Sequence, residues 1–187
     1  SKVIATNDAG PTISSPVFAG ANSGADRHFS LDAFSNRLYY SVTDGSVQII
    51  DLFSATEVGT IPSTAFGGGI IGGFRHTTID PVNRLLYYAS TDDSLYSFSL
   101  DDPNVAGPTV PSGAIAGAAV GGYRHLIYDP NAGLIWYSVT DGSVASVDPL
   151  TSAAGPTIAS NLFTDIVGAG RIITLSGQVV PEPAALA

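Results

Sequence analysis

Apolar and polar positions alternate along most of this chain in short runs rich in β-branched and aromatic residues, the pattern of half-buried strands. The clearest runs are residues 38–42 (LYYSV), 85–89 (LLYYA) and 134–138 (LIWYS). Each is preceded by a shorter alternating run and a turn, such as Asp80-Pro81-Val82-Asn83 or Asp129-Pro130-Asn131-Ala132, whose residues suit a tight reversal. Each is followed by Thr43-Asp44-Gly45-Ser46 or its counterparts, Thr91-Asp92-Asp93-Ser94 and Thr140-Asp141-Gly142-Ser143. Asp-Gly between alternating runs predicts a hairpin, and a third strand follows it, as at residues 46–50. A fourth strand carries its own recurring word, Ala-Gly-Pro-Thr-Val/Ile at 106–110 and 154–158, with a slipped version at 58–61. Proline there fits an outer edge strand, where the missing N–H does no harm. No stretch shows helical periodicity over a useful length.

These elements recur. Arg27, Arg75, Arg124 and Arg171 head successive copies, at steps of 48, 49 and 47 residues. A period of this size is the mark of a repeat architecture, and four antiparallel strands per unit describe a β-propeller blade. Full repeats span 27–74, 75–123 and 124–170. Residues 1–26 hold the back half of a further blade: Val3 and Ile4 lie on its third strand, and the fourth-strand word ends at Ile13. Residues 171–180 restart a front half through Ile172 and Ile173. The expectation is an all-β, four-bladed β-propeller over residues 1–180, built of four-stranded repeats of about 48 residues, with one blade split between the termini. The halves can close the ring within one chain, which the high effective concentration of local ends favours. They can also complete a blade between chains, a head-to-tail contact that propagates.

Composition narrows the functions. The formal charge is −9, with Lys2 the only lysine, so no basic stripe exists for nucleic acid or an anionic membrane surface. No apolar run is long enough to cross a bilayer. Cys is absent, which excludes disulfides and thiolate metal sites. Met is absent too, so Ser1 reads as a processed N-terminus of an exported protein. Only 12% of residues are charged, a low share for an isolated soluble surface, which points to a surface covered by neighbours.

The chain ends Val180-Pro181-Glu182-Pro183-Ala184-Ala185-Leu186-Ala187. This tail (181–187) resembles the Val-Pro-Glu-Pro motif of PEP-CTERM exported bacterial proteins, although the hydrophobic helix and basic cluster that follow it in that family are missing. The resemblance implies secretion to the extracellular matrix or cell surface of a bacterium. Pro181 and Pro183 are counted with Val3, Ile4, Ile13, Ile172 and Ile173 as candidate assembly residues.

Two recurring sets are candidates for chemistry. Arg27, Arg75, Arg124 and Arg171 would converge on a propeller axis as an anion funnel, or each would pair with a repeat carboxylate such as Asp32, Asp80 or Asp129. His28, His76 and His125 follow three of these arginines, and three histidines about an axis form a metal-ligand set with an open position. The bland reading is a structural histidine bonded to backbone or Asp. Neighbours on a strand point to opposite faces, so Arg and His cannot both face the axis. The Thr-Asp-Gly-Ser turns lack the alternating oxygen ligands of a calcium loop. The pairs Tyr39-Tyr40, Tyr87-Tyr88 and Trp136-Tyr137 read as packing between blades, with an outward set able to stack on sugars. No nucleophile elbow or unique Ser–His–Asp set is present. The expectation is a non-enzymatic, cofactor-free secreted protein that assembles with itself, into filaments or matrix and with extracellular polysaccharide as a further partner. The alternative is a module binding a metal, anion or glycan.

Overall fold

The computed structural model describes residues 13, 17, 28–42, 44–66, 76–90, 92, 94–115, 125–139 and 141–162. They form three open antiparallel sheets in which consecutive strands are neighbours. The first holds β1 (Phe29–Asp32), β2 (Arg37–Ser41), β3 (Val47–Asp51) and β4 (Thr56–Ile61). The second holds β5 (Thr77–Asp80), β6 (Leu85–Ala89) and β7 (Leu95–Ser99). The third holds β8 (Leu126–Asp129), β9 (Leu134–Ser138), β10 (Val144–Val147) and β11 (Ala154–Ile158). Outside the strands, the only helical turns among the described residues are of the 3-10 type.

The turns explain why each sheet forms where it does. Asp32, Asp80 and Asp129 end the first strands, and their carboxylates accept backbone N–H bonds from Phe34, from Val82 and Asn83, and from Asn131 and Ala132. The reversal then passes through Asn36, Arg84 or Gly133, each at a φ between 55° and 69°. In the next hairpin Asp44, Asp92 and Asp141 accept the amides of Ser46, Ser94 and Ser143. These aspartates therefore spend oxygens on their own turns.

The second unit departs from the four-strand expectation. Its fourth strand is reduced to two isolated bridges, Leu95–Val110 and Phe98–Ala106. Pro108 has no N–H for the ladder, and Ser99 Oγ takes the amides of Asp101 and Asp102, folding the approach into a loop. β11 carries the same Gly-Pro word and pairs with β10, but with a register shift between Ala145 and Val147. In both copies a serine of the neighbouring strand bonds the proline carbonyl: Ser97 Oγ to Pro108 O at 2.6 Å, Ser146 Oγ to Pro156 O at 2.7 Å. That hydroxyl occupies the space beside the glycine. A Cβ on Gly155 would lie 2.5 Å from Ser146 Oγ, and one on Gly107 would strike Ser97 Oγ and approach Leu85 Cδ2 to 2.9 Å. At Gly59 the nearest atom would be Ile49 Cδ1, at a comfortable 3.7 Å. Gly107→Ala and Gly155→Ala are therefore expected to lower stability by about 1–3 kcal/mol through overpacking. Gly59→Ala should be neutral or slightly stabilising. Urea denaturation midpoints of the three variants check this contrast.

The sheets stack in sequence order through two apolar cores. Tyr39, Val47, Ile49 and Ile61 of the first sheet meet Leu86, Tyr88 and Phe98 of the second. Tyr87, Ala89 and Leu95 of the second meet Tyr128, Ile135, Tyr137 and Val147 of the third. The first strands β1, β5 and β8 lie side by side in that order. Ser30 Oγ and Thr77 Oγ1 share a hydrogen bond of 2.7 Å, and the Tyr128 amide donates to Thr78 Oγ1 at 2.9 Å.

Candidate functional site

The histidines stand where the first strands meet. Each immediately precedes β1, β5 or β8 and is fixed by the neighbouring strand, β2, β6 or β9: the carbonyls of His28, His76 and His125 accept the amides of Ser41, Ala89 and Ser138. Ring centroids are 3.4 Å apart for His28–His76, 4.1 Å for His76–His125 and 5.7 Å for His28–His125. Imidazoles around one ion, each nitrogen 2.0–2.1 Å from it, would hold their centroids about 5 Å apart. Two of the three contacts are too close for that. Among the described residues, no group of three or more His, Cys, Asp or Glu is placed to hold a metal ion. The geometry is that of rings packed on one another. Burial, and then the neighbouring His28 and His125, hold the His76 imidazole down to about 2, and burial lowers His125 as well. Both rings are neutral at ordinary pH.

The repeat arginines Arg27, Arg75, Arg124 and Arg171 lie outside the described residues, as do Val3, Ile4, Ile172, Ile173, Pro181 and Pro183. Ile13 is described and half-buried. The repeat carboxylates have partners of their own. Asp32 is buried and takes Arg84, from the turn of the second sheet, at 2.9 Å. Arg84 also bonds Asp101 and lies over the Phe34 ring. Burial opposes ionisation of Asp32, but the Arg84 and Ser35 hydrogen bonds outweigh it and hold the carboxyl below its usual range. At the next interface Asp80 accepts from the Tyr128 hydroxyl, which burial and then the Asp80 charge push up. First-strand aspartates thus tie the first sheet to the second and the second to the third.

Of the three aromatic pairs every member but Trp136 is interior, and Trp136 is half-buried. Tyr39, Tyr40, Tyr87, Tyr88 and Tyr137 are all fully buried, so none of them offers a ring to a sugar. Tyr39 donates to Leu100 O at 3.2 Å and Tyr88 to Gly45 O at 3.1 Å, crossing the first interface in both directions.

A different surface is open. Phe29 and Leu31 lie on β1, on the face turned from the second sheet, where Phe29 stacks on Tyr40 at 6.0 Å. They are 59% and 55% exposed. At the matching places of the next sheets, where a preceding sheet packs, Thr77 and Tyr128 are 8% and 5% exposed and Ile79 and Leu126 are half-buried. The outer part of the same face is covered: Gln48 and Ile50 are buried, and Gln48 Nε2 donates to Val17 O at 2.9 Å. The sequence alone does not single out Phe29 or Leu31, although their alternation on a first strand marks one face as apolar.

Among the described residues no helix is long and apolar enough to cross a membrane. No family model and no curated protein matches the sequence. Among solved structures, a chain of the "Crystal Structure of Mitotic Checkpoint Complex" matches with a TM-score of 0.52 and 15% identity. The match covers 71% of this chain and 36% of that one, so this chain spans about a third of the relative's length. With 778 solved chains matching, the likeness is to a widespread all-β arrangement and speaks of fold alone.

Proposed function

We propose that this chain is a secreted, non-enzymatic structural protein whose copies assemble into extracellular filaments or matrix by completing a four-bladed β-propeller between them. In this reading the three sheets are three blades. The fourth combines the back half at residues 1–26 of one copy with the front half at residues 171–180 of another. The observation that carries it is the face of β1. Phe29 and Leu31 stay more than half exposed while the outer part of that face, near Gln48, is covered and touches Val17 O. That is the coverage expected where the back half of a blade is in place and the front half is owed by a neighbour. The low charge of the chain and the Pro-Glu-Pro tail support an assembled, exported state.

Burying a Phe or Leu side chain is worth about 1.5–3 kcal/mol, so exchanging both for serine weakens a contact made through them by well over tenfold. Wild-type protein is expected to show concentration-dependent particles by light scattering and electron microscopy. The Phe29→Ser/Leu31→Ser variant should remain a folded 19.1 kDa monomer at the same concentrations. Equal assembly of both proteins would overturn this reading, as would a wild type that stays monomeric throughout.

A further inference from the structure

Exposed apolar side chains gather at one end of the strands. Phe34 tips the β1–β2 turn, Phe53 the β3–β4 turn and Val82 the β5–β6 turn, and Val105 lies in the loop after β7. All four are more than half exposed, Phe53 reaching 93%. Successive strands are antiparallel, so the β1–β2 and β3–β4 turns share an end of the first sheet. Arg84, from the β5–β6 turn, lies over the Phe34 ring, which brings the turn of the second sheet to the same end. Phe34 and Phe53 stand two strands apart, about 10 Å at ordinary strand spacing. The hairpins at the opposite end, around Asp44, Asp92 and Asp141, carry no exposed large apolar residue among the described residues. Turn tips are ordinarily polar, and apolar groups collected on one surface mark an interaction site. Each tip is also fixed: the amides of Phe34, Phe53 and Val82 donate to Asp32, Asp51 and Asp80 at 2.9–3.1 Å. A partner therefore meets side chains on an ordered backbone, and little loop entropy is lost on contact.

Charge selects the occupant. Asp51, Asp101 and Asp102 lie at this end, the last two exposed. Arg37 and Arg84 are the only Lys or Arg among the described residues, and Arg84 is already held by Asp32 and Asp101. A second copy presenting the same end, or an anionic bilayer, would set like charges against each other. Val82 and Val105 offer a sugar no ring to stack on. We infer that this end of the first two sheets is a docking surface for a basic amphipathic helix of another protein. Phe34, Phe53 and Val82 take its apolar side chains, and Asp51 and Asp102 take its Lys or Arg side chains. Helix residues seven apart lie on one face and about 10 Å from each other, the span from Phe34 to Phe53. This surface uses neither Phe29 nor Leu31, so it stands apart from the assembly reading.

The probe is a short labelled helical peptide of leucine and lysine, its leucines on one face, with binding read by fluorescence anisotropy. Wild-type protein is expected to bind it saturably, and more weakly as salt is raised. Phe53→Ser/Val82→Ser removes two anchors that are exposed in the free protein, so the fold is kept and binding should weaken by about tenfold or more. Asp51→Asn/Asp102→Asn keeps side-chain oxygens for the turn amides and removes the charge, and should weaken binding several-fold. A wild type that does not bind, an apolar variant that binds equally, or a control peptide with serine for leucine that binds as tightly would each overturn the inference. So would tighter binding of a glucosamine oligomer than of the peptide, which would make this end a sugar site. None of these outcomes touches the assembly reading.

Discussion

Phe66→Ala is expected to cost about 3–5 kcal/mol, the largest loss foreseen for a single side chain here. Phe66 closes the 3-10 turn Ser63–Phe66, which trails β4 of the first sheet, yet its ring belongs to the second. It stacks on Tyr88 at 4.0 Å and meets Phe98 edge-on at 4.9 Å. Its carbonyl accepts the Ser90 hydroxyl, a second tie between the same two elements. Its side chain is fully buried, and the rings around it are themselves held in strands, so the gap left by truncation cannot readily collapse. Domains of this size are stable by only about 5–15 kcal/mol, so the variant should unfold at much lower urea. A midpoint within a few tenths molar of wild type would show that this ring does not join the two sheets.

Acid should weaken the fold through the histidine cluster. His76 has a folded value of about 2, far below the ordinary imidazole value of 6.5. Between those two values the unfolded chain binds a proton that the folded chain refuses, so stability falls as pH drops through 6.5 and is fully present above it. His76 alone accounts for about 2 kcal/mol between pH 7 and pH 5. The lowered His125 acts with the same sign. The carboxylates held low by their partners, Asp32 among them, lose their contribution only at more acid pH. Urea unfolding at pH 7, 6 and 5 measures the slope, and His76→Phe should flatten it by up to one proton. An unchanged slope in that variant would mean that His76 takes up its proton in the folded state.

The repeat and its strands were legible because hydrophobic alternation and turn chemistry point the same way. The observed β6, β9 and β11 have the bounds read from the pattern, and β3 is displaced by one residue. The reduced outer strand of the second unit was not legible, because the Gly-Pro word is nearly the same in both copies. Its pairing depends on what precedes it, the Ser99–Asp102 loop in one case and a tight turn through Ser152 in the other. Nor was the role of Arg84. It sits where the other repeats carry Asn36 and Gly133, at a left-handed φ that an arginine rarely adopts, and only the packed sheets show that its side chain reaches Asp32. The sequence did mark the three histidines as one set, but spacing says nothing about ring orientation, and that orientation makes them packed rings instead of ligands around an ion. Phe66 does leave a trace in the repeat: Phe66 and Phe163 both stand 39 residues after a repeat arginine. Phe29 and Leu31 look like ordinary strand residues in the sequence. Their meaning lies in exposure, which depends on whether another sheet arrives to cover them.

The proposed completion of a split blade between copies can be tested with one covalent trap. The chain has no cysteine, so a pair introduced as Leu31→Cys and Ile173→Cys reports a single juxtaposition, the front half-blade against the face of β1. Oxidised at assembling concentration and run on a denaturing, non-reducing gel, this variant should give a ladder of multiples of 19.1 kDa that collapses to one band on reduction. A single 19.1 kDa species with its disulfide formed inside the chain would contradict completion between copies and make each molecule a closed ring.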